Sequence, residues 1–295
     1  MELSSDDLVV VSRGDSEREL AELALVLTAR GIEHRRLLGA RGEWLLAVPS
    51  AQAGDAAREL AAYRAERRPA EPLPPLRALP GAWPGVAGYG VVLILVAAAA
   101  GRYAFGLDWA GAGRLVAGRV LDGEWWRAVT ALTLHADTGH LASNLGFGAF
   151  FGWFVGRYFG GGVGWLAILG AGALGNLLNA LIQPAEHASI GASTSVFGAL
   201  GLLTAHAWRR GSAHGSWRAR LAPIAAGVGL LAFTGTGGEN TDIFAHLMGF
   251  VAGFGLGAAL ARTRVPSGWR AQAAFGAAAI AALALAWVPA FAGAA

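Results

Sequence analysis

Three groups of polar side chains interrupt otherwise apolar stretches of this chain, and their types suit acyl transfer. In "GASTSVFGALG", Ser193 and Phe197 are four residues apart and so share one face of a helix. In "DIFAHLMGFVAGFGLG", His246 heads a stripe of Gly249, Gly253 and Gly257. In "HADTGHLASN", His140 and Asn144 are again four apart, with His135 just before them. A serine hydroxyl becomes a competent nucleophile when a positioned base takes its proton, and a neutral histidine does so near pH 7. The oxyanion that develops needs donors. The His140 ring N–H, the Asn144 amide and the Ser193 backbone N–H are of the right type. Together they suggest hydrolysis by acyl transfer to water, which needs no cofactor.

Taken singly, each residue has a plainer role. Ser193 reads as an N-cap or packing residue, His246 as an interhelical hydrogen-bonding group, and the glycine stripe as helix packing. Asn144 reads as a bond to a neighbouring helix. Asp242, four residues before His246, reads as a helix cap rather than the acid of a triad. His34, His187, His206 and His214 fall in the N-terminal unit or in loops and receive no role. His135 and His140 are five apart, with no HExxH and no matching carboxylate, so no metal is assigned. No pair of related halves with broken helices points to a transporter.

The elements that must position these groups are membrane spans. Of 295 residues, 55% are hydrophobic and 15% charged, too apolar for a soluble domain of this length. All 23 basic residues are Arg, the formal charge is +3, and no basic footprint for nucleic acid is present. The absence of Cys excludes disulfides and thiolate metal sites. From Val86 onward, apolar stretches long enough to cross a bilayer recur, at about 86–103, 139–157, 161–182, 191–208, 219–235, 242–261 and 271–292. The segment between the first two is long for a loop. Arg67, Arg68 and Arg77, then Arg209, Arg210, Arg218 and Arg220, then Arg262, Arg264 and Arg270 occupy alternate loops. The positive-inside rule then puts the N-terminus in the cytoplasm, consistent with residues 1–20, which lack a signal-peptide pattern. Arg114, Arg119 and Arg127 in the long loop break the pattern. In this topology spans two, four and six run the same way, so Ser193, His246, His140 and Asn144 lie at similar depth toward the outer leaflet.

Residues 1–68 differ from the rest. "DLVVVSRG" predicts a strand, "SERELAELALVLTARGI" an amphipathic helix, "EHRRLLG" and "EWLLAVP" a hairpin, and "AGDAARELAAYRAERR" a second helix. This is a small soluble α+β unit of βαββα order. The Pro-rich residues 69–85 form a semi-stiff linker.

These motifs resemble those of the rhomboid intramembrane serine proteases. "GASTSVFGALG" is similar to their GxSGxxFG, "HADTGHLASN" to HxxxxHxxxN, "AHLMGFVAG" to AHxxGxxxG, and "GEWWRAVT" to the Trp-Arg element of their first long loop. The resemblance runs from about Val86 to Arg262. It implies a membrane all-α fold, with a six-helix core at 86–262 and a seventh C-terminal transmembrane helix within 263–295. It implies Ser193 as nucleophile, His246 as its base, and His140 and Asn144 in the oxyanion hole. Phe197 would stack on His246, Gly191 would let the backbone bend beneath the nucleophile, and Gly249 and Gly253 would let helices approach. Trp126 and Arg127 would lie in a membrane-embedded loop supported by His135. The implied function is endopeptidase cleavage of transmembrane protein substrates in the lipid bilayer, in a bacterial inner membrane. The alternative is an inactive member that binds transmembrane segments. One residue departs from the pattern: Thr194 stands where the family has Gly, and a β-branched side chain there would crowd the oxyanion site.

Overall fold

A computed structural model describes residues 7–40, 42–66, 78–79, 81–212, 217–235 and 241–293. Most of the Pro-rich stretch, with Arg67, Arg68 and Arg77, lies outside the described residues, as does His214. The chain divides into two compact units, residues 1–72 and 73–295.

In the first unit, Leu8–Gly14 (β1), Glu17–Ala29 (α1), Arg35–Leu38 (β2), Trp44–Pro49 (β3) and Ala53–Glu66 (α2) follow in that order. β3 is central, antiparallel to both β1 and β2. Its uninterrupted apolar run fits that position, and Leu46, Ala47 and Val48 are all buried. Ser16 caps α1 by accepting from the Glu19 N–H at 3.3 Å. The helix buries Leu20, Leu23, Ala24 and Leu27, the spacing of one apolar face. These residues pack on Leu46, Val48 and Leu60.

Among the described residues of the second unit, seven helices have 18 residues or more: Ala82–Gly101 (α3), Thr138–Phe159 (α7), Gly161–Ile182 (α8), Ser193–Ser212 (α9), Trp217–Gly235 (α10), Ile243–Leu260 (α11) and Trp269–Ala292 (α12). Four of them, α3, α8, α11 and α12, are long and apolar enough to cross a membrane. Their outward faces are as apolar as the interior. Ile94, Leu95, Ile280, Leu285 and Val288 are all more than half exposed, an arrangement water would penalise and lipid accepts.

Lipid offers no hydrophobic drive for helix association, so close backbone approach at small residues takes its place. A β-carbon on Gly253 would sit 2.8 Å from Gly198 Cα, and one on Gly257 would sit 2.9 Å from Leu202 Cα. Gly249 meets Thr194 one turn earlier. These pairs advance together along both helices, so α9 and α11 run parallel in direct contact. Gly175 brings α8 to the same place, 2.7 Å from Gly249 Cα by the same measure. On α12, Gln272 Oε1 accepts from the Gly162 and Val163 N–H groups at 2.8 and 3.1 Å, capping the start of α8.

The long segment after α3 is built rather than open. It holds Trp109–Gly113 (α4), Leu115–Val116 (β4), Ala117–Leu121 (α5) and Arg127–Thr130 (α6). β4 pairs with Ala188–Ser189 (β5), just ahead of α9.

Candidate active site

The three adjacent hydroxyl residues at the start of α9 point three ways, as rotation of about 100° per residue requires. Ser195, 5% exposed, lies against Gly172 of α8 and Leu132. Thr194, 3% exposed, sets its Cγ2 methyl in a notch: it would lie 2.8 Å from a β-carbon on Gly175 and 3.0 Å from one on Gly249. The methyl thus fills space between α8 and α11.

Ser193, half-buried, takes the remaining direction. Gly191 before it has φ +133°, a conformation that favours glycine. A β-carbon at Gly191 would be 2.6 Å from His140 Nε2 and 3.7 Å from Ser193 Oγ. The imidazole and the hydroxyl thus flank one spot that glycine leaves open. The Gly191 N–H donates to the Ala131 carbonyl at 2.9 Å, fixing this bend to the long loop.

His140 is set by its own helix start. Asp137 caps α7 by accepting the His140 backbone N–H at 2.8 Å. Asn144, 4% exposed, donates its side-chain amide to the His140 carbonyl at 2.9 Å, while Tyr89 donates to the Asn144 carbonyl at 2.8 Å. One of the two Asn144 amide hydrogens is therefore engaged within α7. The His135 ring lies edge-on to His140 at 5.1 Å between centroids. Burial, reinforced by His140, lowers His135 from its ordinary 6.5 to about 4, against opposing pulls from Thr133 and Asp137.

His246, 8% exposed, sits in the first turn of α11, just ahead of Gly249. Phe197 lies over its ring with centroids 4.4 Å apart and planes tilted by 36°. Because α9 and α11 are parallel with Thr194 against Gly249, His246 falls at the end of the bundle where Ser193 opens α9.

Arg127 is buried and organises the loop. It donates to the Gly111 and Arg114 carbonyls at 3.0 and 2.8 Å and pairs with Glu124. Trp126 packs with Ala112, Leu134 and Trp287 of α12. These contacts, not periodicity, give the segment its form.

Several further polar residues are tied into the bundle. Asn176 donates to the Ala128 carbonyl at 2.8 Å, tying α8 to α6. Asn179, fully buried, donates to Asp242 Oδ2 at 2.8 Å. His187, given no role above, places Nε2 2.8 Å from the same oxygen. Asp242 Oδ1 caps α11 by accepting the Ala245 N–H at 3.0 Å. His206 stacks on Tyr158 at 5.0 Å, so it belongs to the α7–α9 packing rather than to a loop. The signal available in sequence was the Asn176/Asn179 pair, three apart in an apolar helix.

Residues 122–263 match the family model of the rhomboid domain, a segment that holds all three motif groups. Residues 122–263 thus carry a rhomboid domain. It is 29% identical over 136 residues to the rhomboid YdcA of Bacillus subtilis strain 168, covering 46% of this chain and 67% of that protein. It is 40% identical over 86 residues to the chloroplastic rhomboid-like protein 11 of Arabidopsis thaliana, and 38% identical over 84 residues to the rhomboid protease GluP of B. subtilis strain 168. These matches span 31% and 16% of the relatives' lengths. The rhomboid domain and the apolar helices make this an integral membrane protein. The α3 helix, the first part of the long loop and α12 lie outside the rhomboid match.

Proposed function

We propose that the chain is an intramembrane serine endopeptidase, cleaving peptide bonds in or near transmembrane segments of membrane proteins through a Ser193–His246 dyad. The observation that carries this reading is the convergence of the His140 ring and the Ser193 hydroxyl on Gly191, at the helix end where Phe197 holds His246. In the proposed reaction, Ser193 Oγ attacks the substrate carbonyl while His246 takes its proton. His246 then protonates the leaving amine. Water, deprotonated by the same imidazole, releases the acyl group. The oxyanion is met by the Ser193 backbone N–H at the positive end of α9, the His140 ring and the second Asn144 amide hydrogen. Arg127 and Trp126 hold the loop whose Ala131 carbonyl pins Gly191.

The substrate reaches the site laterally from lipid, unwound locally, because an intact helix hides its carbonyls. The proposed architecture is a six-helix core at 86–262 with α12 as a seventh span, and residues 1–68 as a soluble unit joined through 69–85. The arginines at the ends of α9 and α11 support a cytoplasmic N-terminus in a bacterial inner membrane. The partners are transmembrane substrates and the bilayer, not nucleic acid.

A second reading, an inactive rhomboid that binds transmembrane segments, draws on Thr194 alone. A fluorophosphonate probe separates the two. Labelling that vanishes in Ser193→Ala and His246→Ala supports the enzyme; a folded wild type that takes no label supports the binder.

A further inference from the structure

Asp242 serves three segments with one carboxylate. Oδ1 takes the Ala245 N–H and caps α11. Oδ2 takes the Asn179 amide of α8 and lies 2.8 Å from His187 Nε2. Capping would need only the first of these. The second oxygen reaches the segment that leads into Ser193, and that segment is otherwise bound to the long loop. The Gly118 N–H donates to the Ala185 carbonyl, the Ala117 N–H donates to the His187 carbonyl, β4 pairs with β5, and the Gly191 N–H donates to Ala131. The His187 ring thus joins this stitched segment to the first turn of the helix that carries His246.

We propose that His187, acting through Asp242 and Asn179, is a positioning residue that sets the Ser193 hydroxyl relative to the His246 ring. The inference rests on the proteolytic reading above. Side chains of Asp242 and His187 are 14% and 24% exposed and Asn179 is fully buried, so solvent competes little for these bonds. The junction lies one helical turn before His246 and a few residues before Ser193, so a slip there is passed to both reacting groups. A misplacement near 1 Å costs on the order of 100-fold in rate.

The test uses the full chain in proteoliposomes with a transmembrane test substrate. Asp242→Asn keeps an oxygen for the cap, since Asn caps as well as Asp, but replaces the second oxygen with an amide NH2 that opposes the Asn179 donor and cannot accept from the His187 ring. His187→Ala removes only the ring, and His187→Gln retains an N–H at similar reach. Asp242→Asn and His187→Ala are each expected to lower kcat by about ten- to a hundred-fold with KM unchanged. The double variant should be no worse than Asp242→Asn alone, and His187→Gln should recover most of the rate. Unchanged kcat in both single variants, or losses that multiply in the double variant, overturns the proposal.

If wild type neither cleaves nor takes a fluorophosphonate, the proteolytic reading fails on its own. Hydrogen exchange then decides the junction: Asp242→Asn should deprotect 183–192 and the start of α11 together. Unchanged protection overturns it.

Discussion

His140 covers Gly191. A β-carbon there would come within 2.6 Å of His140 Nε2, in a backbone conformation with φ +133° that other residues rarely adopt. Two independent constraints, one steric and one conformational, therefore select glycine at the residue that aims Ser193. Gly191→Ala is expected to cost about 1–3 kcal/mol in backbone strain and to lower fluorophosphonate labelling of Ser193 by at least about 100-fold, as displacement of the ring would require. Labelling at the wild-type rate would show that the ring has no part in the site.

Phe197 faces His246 at 4.4 Å. A ring contact of this kind contributes about 0.5–1.5 kcal/mol beyond buried area, and 1.4 kcal/mol is tenfold in rate. Phe197→Leu, which keeps an apolar side chain without the ring, should lower kcat about tenfold and leave KM in place; Phe197→Tyr should retain most of the rate. Steady-state kinetics on a transmembrane substrate distinguish these outcomes from a binding defect.

Thr194 occupies the notch between Gly175 and Gly249. Thr194→Gly restores the residue usual in the family but empties that notch. The expected result is a stability loss of about 1–2 kcal/mol, from the lost methyl and the added chain freedom, with kcat within about twofold of wild type because His140 is untouched. Thermal unfolding in detergent and turnover measured side by side check both halves.

His135 gives the long loop an acid sensitivity whose sign follows from its lowered value. The released loop takes up the proton near 6.5, and the packed loop only near 4, so the unfolded form binds more protons between these limits. Stability contributed by this residue is complete above pH 6.5 and declines as the pH falls toward 4. Hydrogen exchange of 104–134 should quicken across that interval in wild type, and the response should flatten in His135→Gln.

The parts of this molecule that were legible in its sequence are those with a period. The stripe of Gly249, Gly253 and Gly257 predicts a close helix approach, and the structure sets it against Thr194, Gly198 and Leu202. The four-residue spacing of Ser193 and Phe197 reports a shared helix face in the same way. The Asp242 junction was not legible, because its partners Asn179 and His187 lie 63 and 55 residues away, and contacts between a helix cap, a loop and a distant helix leave no periodic trace. For the loop after α3, length is legible in the sequence, and the Trp126–Arg127 element only through the family resemblance. Its form comes from the donors of Arg127 reaching the Gly111 and Arg114 carbonyls, bonds that composition does not announce. His206 reads in sequence as a loop histidine, whereas its stack on Tyr158 shows that the apolar period of α9 continues through it.

The most direct measurement is cleavage of a transmembrane test substrate by the purified protein in liposomes, with the products identified by mass spectrometry. Wild type should yield a single new pair of termini in or beside the membrane segment, and both Ser193→Ala and His246→Ala should yield none. Cleavage that persists in either variant would contradict the proposed dyad.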